Sequence, residues 1–189
     1  MKSDMPVIVY AEATPNPDIL KFVINFPLLS GSVEFLNPAE ASDNAIASHL
    51  FSFPQVKSVF IAANFISITK DKSADWYELI PELRSAIIKF YTENGKPSIT
   101  EEKTRGDEKQ AYNAMDTQIM NILTEYVQPA VAGDGGEIVY KSFKEGTVTL
   151  ELKGACRGCP SSTFTLKSGI ENLLKQMVPE VKEVVAEQG

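Results

Sequence analysis

"LKGACRGCPSSTF", residues 152–164, joins a predicted strand to a predicted helix. It contains both cysteines of the chain, Cys156 and Cys159, three positions apart. This spacing is typical of metal sites and of redox sites. Pro160 suits the first position of a helix, where its missing N–H leaves no hydrogen bond unmade. The stretch therefore predicts a pair of thiols in a loop at the start of a helix.

The residues around the two thiols favour the thiolate, which is the form that binds metals. Cys159 directly precedes the predicted helix, whose first N–H groups and dipole present positive charge. Lys153 and Arg157 add two cations, while Gly154 and Gly158 permit tight backbone turns. We expect this loop to hold a ligand, and we expect neither thiol to be needed for the hydrophobic core.

Three kinds of site are compatible with such a pair. Zinc and cubane iron–sulfur clusters take about four ligands, so a chain with two cysteines would supply half a site and a second chain the other half. A thiol–disulfide oxidoreductase also has C-x-x-C at a helix start, but here the preceding strand is predicted in a hairpin rather than a βαβ unit. A structural pair without chemistry is the third possibility. The half-site is the favoured interpretation, and spacing alone does not separate zinc from iron–sulfur.

The second half of the chain predicts the order helix, hairpin, cysteine loop, helix, strand. "IVYKSF" and "TVTLEL" are the hairpin strands, joined at 144–146, and "VKEVV" is the last strand. Apolar residues at helical spacing predict one buried face on a first helix that ends before Pro129. Those of the first helix are Met115, Ile119, Ile122, Leu123, Tyr126 and Val127, and those of the second are Leu166, Ile170, Leu173, Leu174 and Met177.

The first half alternates short strands and helices. "VIVYAEA" and "LKFVIN" predict two strands, and "VKSVFIA" and "FISITK" predict a hairpin whose turn places Asn64 in the left-handed conformation. "DNAIASHLF" predicts a helix capped by Ser42 or Asp43. A longer helix is predicted from near Asp75 to Gly95, with a buried stripe of Leu79, Leu83, Ile87 and Tyr91. His49, the single histidine, and Trp76 and Tyr77 are interpreted as packing or surface residues rather than ligands.

The fold class predicted from these patterns is α+β, with two small α+β domains joined by a polar linker. The predicted domains are 1–94 and 107–189, and the linker "GKPSITEEKTRG" covers 95–106. The net charge of −7 over 189 residues disfavours nucleic acid as a partner. No apolar run is long enough for a secretion signal or a membrane span.

Two sets of segments resemble the Nfu iron–sulfur proteins. "DGGEIVYKSF" and "GTVTLELKGACRGCPSSTFTLKSGIENLLKQMVPEV" are similar to the carboxy-terminal NifU-like domain, and "TPNPDILKF" and "VKSVFIAANFISITK" are similar to the Nfu amino-terminal domain. The resemblance implies a non-enzymatic assembly factor that carries a [4Fe–4S] cluster between protomers and delivers it to apo-proteins. It implies that Cys156 and Cys159 are the cluster ligands, and that the family's DGG turn falls on 134–136, where loop geometry is the expected role.

The same resemblance implies a set of partners. These are a second copy of the chain in a homodimer or higher homo-oligomer, an upstream scaffold or donor protein, and apo iron–sulfur clients. Mitochondrial relatives carry an import segment before the first domain, whereas this chain begins almost at its first strand. We therefore expect a bacterial cytoplasmic location, with a processed mitochondrial matrix form as the alternative.

Overall fold

The computed structural model describes residues 5–97, 112–157 and 160–188, and the chain divides into two compact units, Met1–Arg105 and Gly106–Gly189. Each unit combines one β-sheet with helices, so the predicted α+β class is confirmed. Most of the predicted linker lies outside the described residues, and the predicted domain limits stay predictions. None of the described helices has the length and apolar composition that a membrane crossing requires.

The amino-terminal unit is a five-stranded antiparallel sheet in the order β1-β2-β5-β4-β3, with two helices. Its elements are β1 Val9–Ala13, β2 Ile19–Ile24, β3 Ser32–Phe35, α1 Ala45–Phe51, β4 Val56–Ala62, β5 Phe65–Lys70 and α2 Trp76–Asn94. The four residues predicted as the buried stripe of α2 are all buried in the core of this unit. The short edge strand β3 is an element that the sequence patterns did not predict.

Two local predictions for this unit were wrong. The N-cap of α1 is Asn44, whose side chain accepts a hydrogen bond from the Ala47 amide, rather than Ser42 or Asp43. In the turn between β4 and β5, Ala63 has the positive φ of 42° and Asn64 does not. The Asn64 side-chain amide instead donates to the carbonyl of Ile24 on the neighbouring strand, so tertiary contacts set this turn.

The carboxy-terminal unit is a three-stranded sheet in the order β6-β7-β8, packed with helices around its own core. Its elements are α3 Ala114–Ile122, a π-helical turn Leu123–Val127, α4 Gln128–Gly133, β6 Gly136–Lys144, β7 Thr147–Gly154, α5 Pro160–Met177 and β8 Glu183–Gln188. The predicted hairpin of β6 and β7 is confirmed, and Val148, Leu150 and Leu152 are buried along β7.

In this unit, two features differ from the sequence-based predictions. The first helix does not end before Pro129, because α4 continues to Gly133 after the π turn. The strand before the cysteines is also part of a βαβ unit, since β7 and β8 are parallel and α5 connects them. β7 thus pairs with β6 in a hairpin on one side and with β8 in a parallel crossover on the other.

Candidate functional site

The cysteine loop connects the end of β7 to the start of α5, and Pro160 is the first residue of that helix, as predicted. Gly154 ends β7 with a φ of +62°, a left-handed conformation that glycine adopts without steric strain. Two backbone hydrogen bonds hold the first residues of the loop: Ala155 donates to the Gly135 carbonyl at 3.2 Å, and Arg157 donates to the Gly154 carbonyl at 3.0 Å. Cys159 and Gly158 lie outside the described residues.

Cys156 is 6 % exposed and belongs to the hydrophobic core of the carboxy-terminal unit. Its sulfur is not part of a disulfide. The expectation that neither thiol is needed for the core was therefore wrong for Cys156. A buried cysteine behaves as a small apolar side chain, so replacing it with a polar residue carries a stability cost.

Gly136, the first residue of β6, is in direct contact with this cysteine. It pairs with Gly154 across the hairpin, so neither residue of this pair places a side chain on a face of the sheet. A β-carbon built on Gly136 would lie 2.6 Å from the Cys156 Sγ, 2.8 Å from the Lys153 carbonyl oxygen and 3.0 Å from the Cys156 amide nitrogen. The last glycine of the DGG segment thus provides the space that the cysteine occupies.

The carboxylate of Glu151 lies near Lys153 and Arg157, the two cations beside the cysteines. Burial raises the pKa of Glu151, on β7, but the pKa still lies below its usual value. The largest opposing effect is the hydrogen bond from Lys141, which also forms an ion pair with Glu151. The positive charges of Lys153 and Arg157 act in the same direction. Part of the positive charge near the loop is therefore balanced by Glu151, which the sequence analysis did not identify.

The structure brings together part of the predicted site. Cys156 and Arg157 lie in the loop that directly follows Gly154, the last residue of β7. His49 belongs to the other unit and stacks on Phe90 with 5.8 Å between ring centres. Within the described ranges, no group of three or more His, Cys, Asp or Glu side chains is arranged to hold a metal ion. Gly136 and Glu151 are the two residues near the loop whose roles were not predicted from the sequence, and the signal for Gly136 was its place in the DGG segment.

Each half of the chain matches a known family profile. Residues 9–94 match the profile described as "Scaffold protein Nfu/NifU N terminal", and residues 119–185 match "NifU-like domain". These segments coincide with the two sheet-and-helix units, and the second contains the cysteine loop and Gly136.

Among curated proteins, the "NFU1 iron-sulfur cluster scaffold homolog, mitochondrial" of Homo sapiens is 38 % identical over 181 residues, which cover 94 % of this chain and 71 % of the human protein. A NifU-like protein of Schizosaccharomyces pombe is 36 % identical over 186 residues, with the same two coverages. A solution NMR structure of a NifU-like protein from Saccharomyces cerevisiae covers 54 % of this chain and 92 % of that chain, with 27 % identity and a TM-score of 0.46.

Proposed function

Because the chain belongs to the Nfu/NifU family of iron–sulfur cluster scaffold proteins, we propose that it carries a [4Fe–4S] cluster and delivers it to apo-proteins. The cluster is cargo that is bound and released, not a resident cofactor, and the chain acts as a carrier rather than an enzyme. Cys156 and Cys159 are the proposed ligands, with two thiolates contributed by each of two chains.

The observation that carries this proposal is the place of Cys156 between β7 and α5. The chain has two cysteines in all, and the sequence puts the second one directly before the helix start at Pro160. Four thiolates are the usual ligand set of a cubane cluster, so one chain supplies half of it. A cluster held between two chains is released when the chains separate, which suits a carrier.

The described residues fit a thiolate-bound cluster. Cysteine sulfur is the donor that iron–sulfur clusters take, and Gly136, at the start of β6, leaves space for the Cys156 sulfur. A shared cubane with four thiolates carries negative charge, and the positive charges of Lys153 and Arg157 next to the loop would partly offset it. The role of the chain's own residues is thus to present sulfur, to leave room for it and to balance its charge.

Anaerobic reconstitution with iron and sulfide tests this function. We expect a brown protein with about two irons and two sulfides per chain, because one cubane is shared by two chains. On size exclusion the loaded protein should elute as a larger species than the apo-protein. Cys156→Ala and Cys159→Ala should both abolish iron binding and the size shift. A monomer that stably binds a whole cluster would contradict the shared site.

One structural observation favours a second candidate, a thiol–disulfide oxidoreductase. The C-x-x-C segment lies between the strand and helix of a parallel βαβ unit, which is also the setting of thioredoxin-like redox motifs. An insulin-reduction assay separates the two functions, since rapid turnover without iron binding would favour the oxidoreductase. Metal analysis of protein purified without oxygen tests zinc, the other alternative.

The partners of the protein follow from the proposed function. The homo-oligomer forms around the cluster, an upstream donor supplies it, and apo iron–sulfur proteins receive it. The human relative is named as mitochondrial, whereas a bacterial cytoplasmic location is expected from the sequence. Fractionation of the source cells decides between these locations.

A further inference from the structure

We propose that Gly136 is a positioning residue for the Cys156 thiol, providing a seat on β6 in which the sulfur is held and shielded before a cluster binds. This inference rests on the proposed function for its biological meaning, but the seat itself is a property of the apo-protein. The third residue of the DGG segment, Gly136, thus has the role of positioning the Cys156 sulfur.

The geometry at Gly136 leaves no room for a side chain. The closest neighbour of an added β-carbon is the Cys156 Sγ at 2.6 Å, and a separation below 3.0 Å forces one of the two groups to move. The next neighbours are two backbone atoms. The Lys153 carbonyl oxygen, near the end of β7, would lie at 2.8 Å, and the Cys156 amide nitrogen, in the loop, at 3.0 Å. Sulfur and loop backbone therefore both rest against the bare Cα of Gly136.

The burial of Cys156 shows what the seat does in the apo-protein. The residue is 6 % exposed and packs with apolar core residues, so a reagent in solution has little access to its sulfur. Thiol reactivity depends on access as well as on thiolate character. The seat thus directs the sulfur toward β6 and slows its modification by solutes.

The structure provides a matched control. Gly133, three residues earlier at the end of α4, has nothing within 4 Å of an added β-carbon. Gly133→Ala therefore adds the same methyl group close by in the sequence without touching the cysteine. Val184→Ala provides a second control, because Val184 is fully buried on β8 and pairs with Val148, far along β7 from Gly154. It removes core packing away from the loop.

The experiment measures the alkylation rate of Cys156 by iodoacetamide in the full-length apo-protein, in a Cys159→Ser background so that a single thiol reacts. We expect Gly136→Ala to raise the rate by about five-fold or more, because the displaced sulfur becomes accessible. Gly133→Ala and Val184→Ala should leave the rate unchanged well below their melting temperatures. An unchanged rate in folded Gly136→Ala would overturn the proposal.

A second comparison applies if Gly136→Ala does not fold. The same substitution is then made in a Cys156→Ala background, where the nearest neighbour of the new methyl group is absent. Recovery of a cooperative melting transition would support the seat. Failure to fold in this background too would show that the Lys153 backbone, not the thiol, requires a glycine here, and that would overturn the proposal.

The seat and the proposed function can fail separately. Iron binding by the wild-type chain tests the function, whereas alkylation of the apo-protein tests the seat without any iron. If both stand, Gly136→Ala should retain less iron per chain than Gly133→Ala after the same reconstitution and gel filtration, because its Cys156 sulfur is misplaced. Equal iron retention would show that cluster binding does not use the seat.

Discussion

The Asp116 carboxylate joins the start of α3 to the sheet that bears the cysteine loop. One of its oxygens accepts from the Asn113 amide at 2.8 Å, which completes a capping box, and the other accepts a short hydrogen bond from the Tyr140 hydroxyl on β6. Burial raises the pKa of Tyr140 above its usual value, and the hydrogen bond and the negative charge of Asp116 raise it further. The Asp116 side chain thus caps α3 and also forms a hydrogen bond with β6.

Tyr140→Phe should lower the free energy of unfolding of the carboxy-terminal unit by about 1.5 kcal/mol at neutral pH, because a hydrogen bond to a charged group is lost. Since the folded-state pKa of Tyr140 is raised, its contribution is complete below about pH 10 and is lost as the pH rises further. Denaturant unfolding of both proteins at neutral and alkaline pH measures this.

Tyr112→Phe is the control for this measurement, since the Tyr112 ring packs near Tyr140 at 6.0 Å but is 43 % exposed. It should change stability by less than about 0.5 kcal/mol. Equal effects of the two substitutions would show that the Asp116 contact does not stabilise the unit.

The helical stretch that precedes β6 contains the π turn Leu123–Val127, directly before the helix that includes Pro129. Proline lacks an N–H and crowds the carbonyl four residues earlier, which for Pro129 is that of Glu125, inside the π turn. A π turn takes more residues per turn than an α-helix, so residues four apart stay on one face. Ile119, Leu123, Val127 and Val131 are accordingly all buried, whereas Tyr126 is 52 % exposed. The α-helical spacing had predicted Tyr126 on the buried face, and that prediction was wrong.

This register predicts a contrast between two alanine substitutions on the same helix. Val131→Ala should destabilise the carboxy-terminal unit by about 2 kcal/mol, because it removes buried methyl groups. Tyr126→Ala should change stability by less than about 0.5 kcal/mol, because most of the ring is already in water. Thermal or denaturant unfolding measures both, and a larger loss from Tyr126→Ala would contradict the register described above.

The whole chain is built from two units with separate cores. The residues of the amino-terminal core lie between Val9 and Tyr91, and those of the carboxy-terminal core lie between Ile119 and Val184. Among the residues that the structure describes, each of these two clusters draws all its members from one unit. The cysteine loop lies in the second unit, and we propose that the first recognises clients or donors.

Expressing residues 106–189 alone tests this division. The shortened chain should fold and bind about two irons per chain as the full chain does, because the proposed ligands lie in this unit. Cluster transfer to apo-proteins should be slower than with the full chain, since the proposed recognition unit is missing. Transfer rates that are unchanged for several clients would contradict the proposed task of the amino-terminal unit.

Local patterns were sufficient to predict the class of fold, most of the elements and the loop before α5 that contains Cys156. The stripe of α2, the alternation along β7 and the hairpin of β6 and β7 depend on neighbours within a few turns of helix or across one tight turn. Because these patterns depend on short stretches of residues, they can be recognised in the sequence without knowing the rest of the fold. The resemblance to the Nfu family, carried by the segments around Cys156, rests on the same kind of local information.

Other features depend on residues that only the folded chain brings together. The parallel pairing of β8 with β7, the exposure of Tyr126 and the burial of Cys156 each depend on distant partners. The contact of Gly136 with Cys156 joins positions twenty residues apart. The reason for a glycine at position 136 is the neighbour that a side chain there would meet. That neighbour is Cys156, and the pairing of β6 with β7 places it there. The sequence therefore predicted that Cys156 lies in a loop before a helix, because the signals for that loop are local. The tertiary structure decided that its sulfur lies against Gly136, because that contact depends on the pairing of β6 with β7.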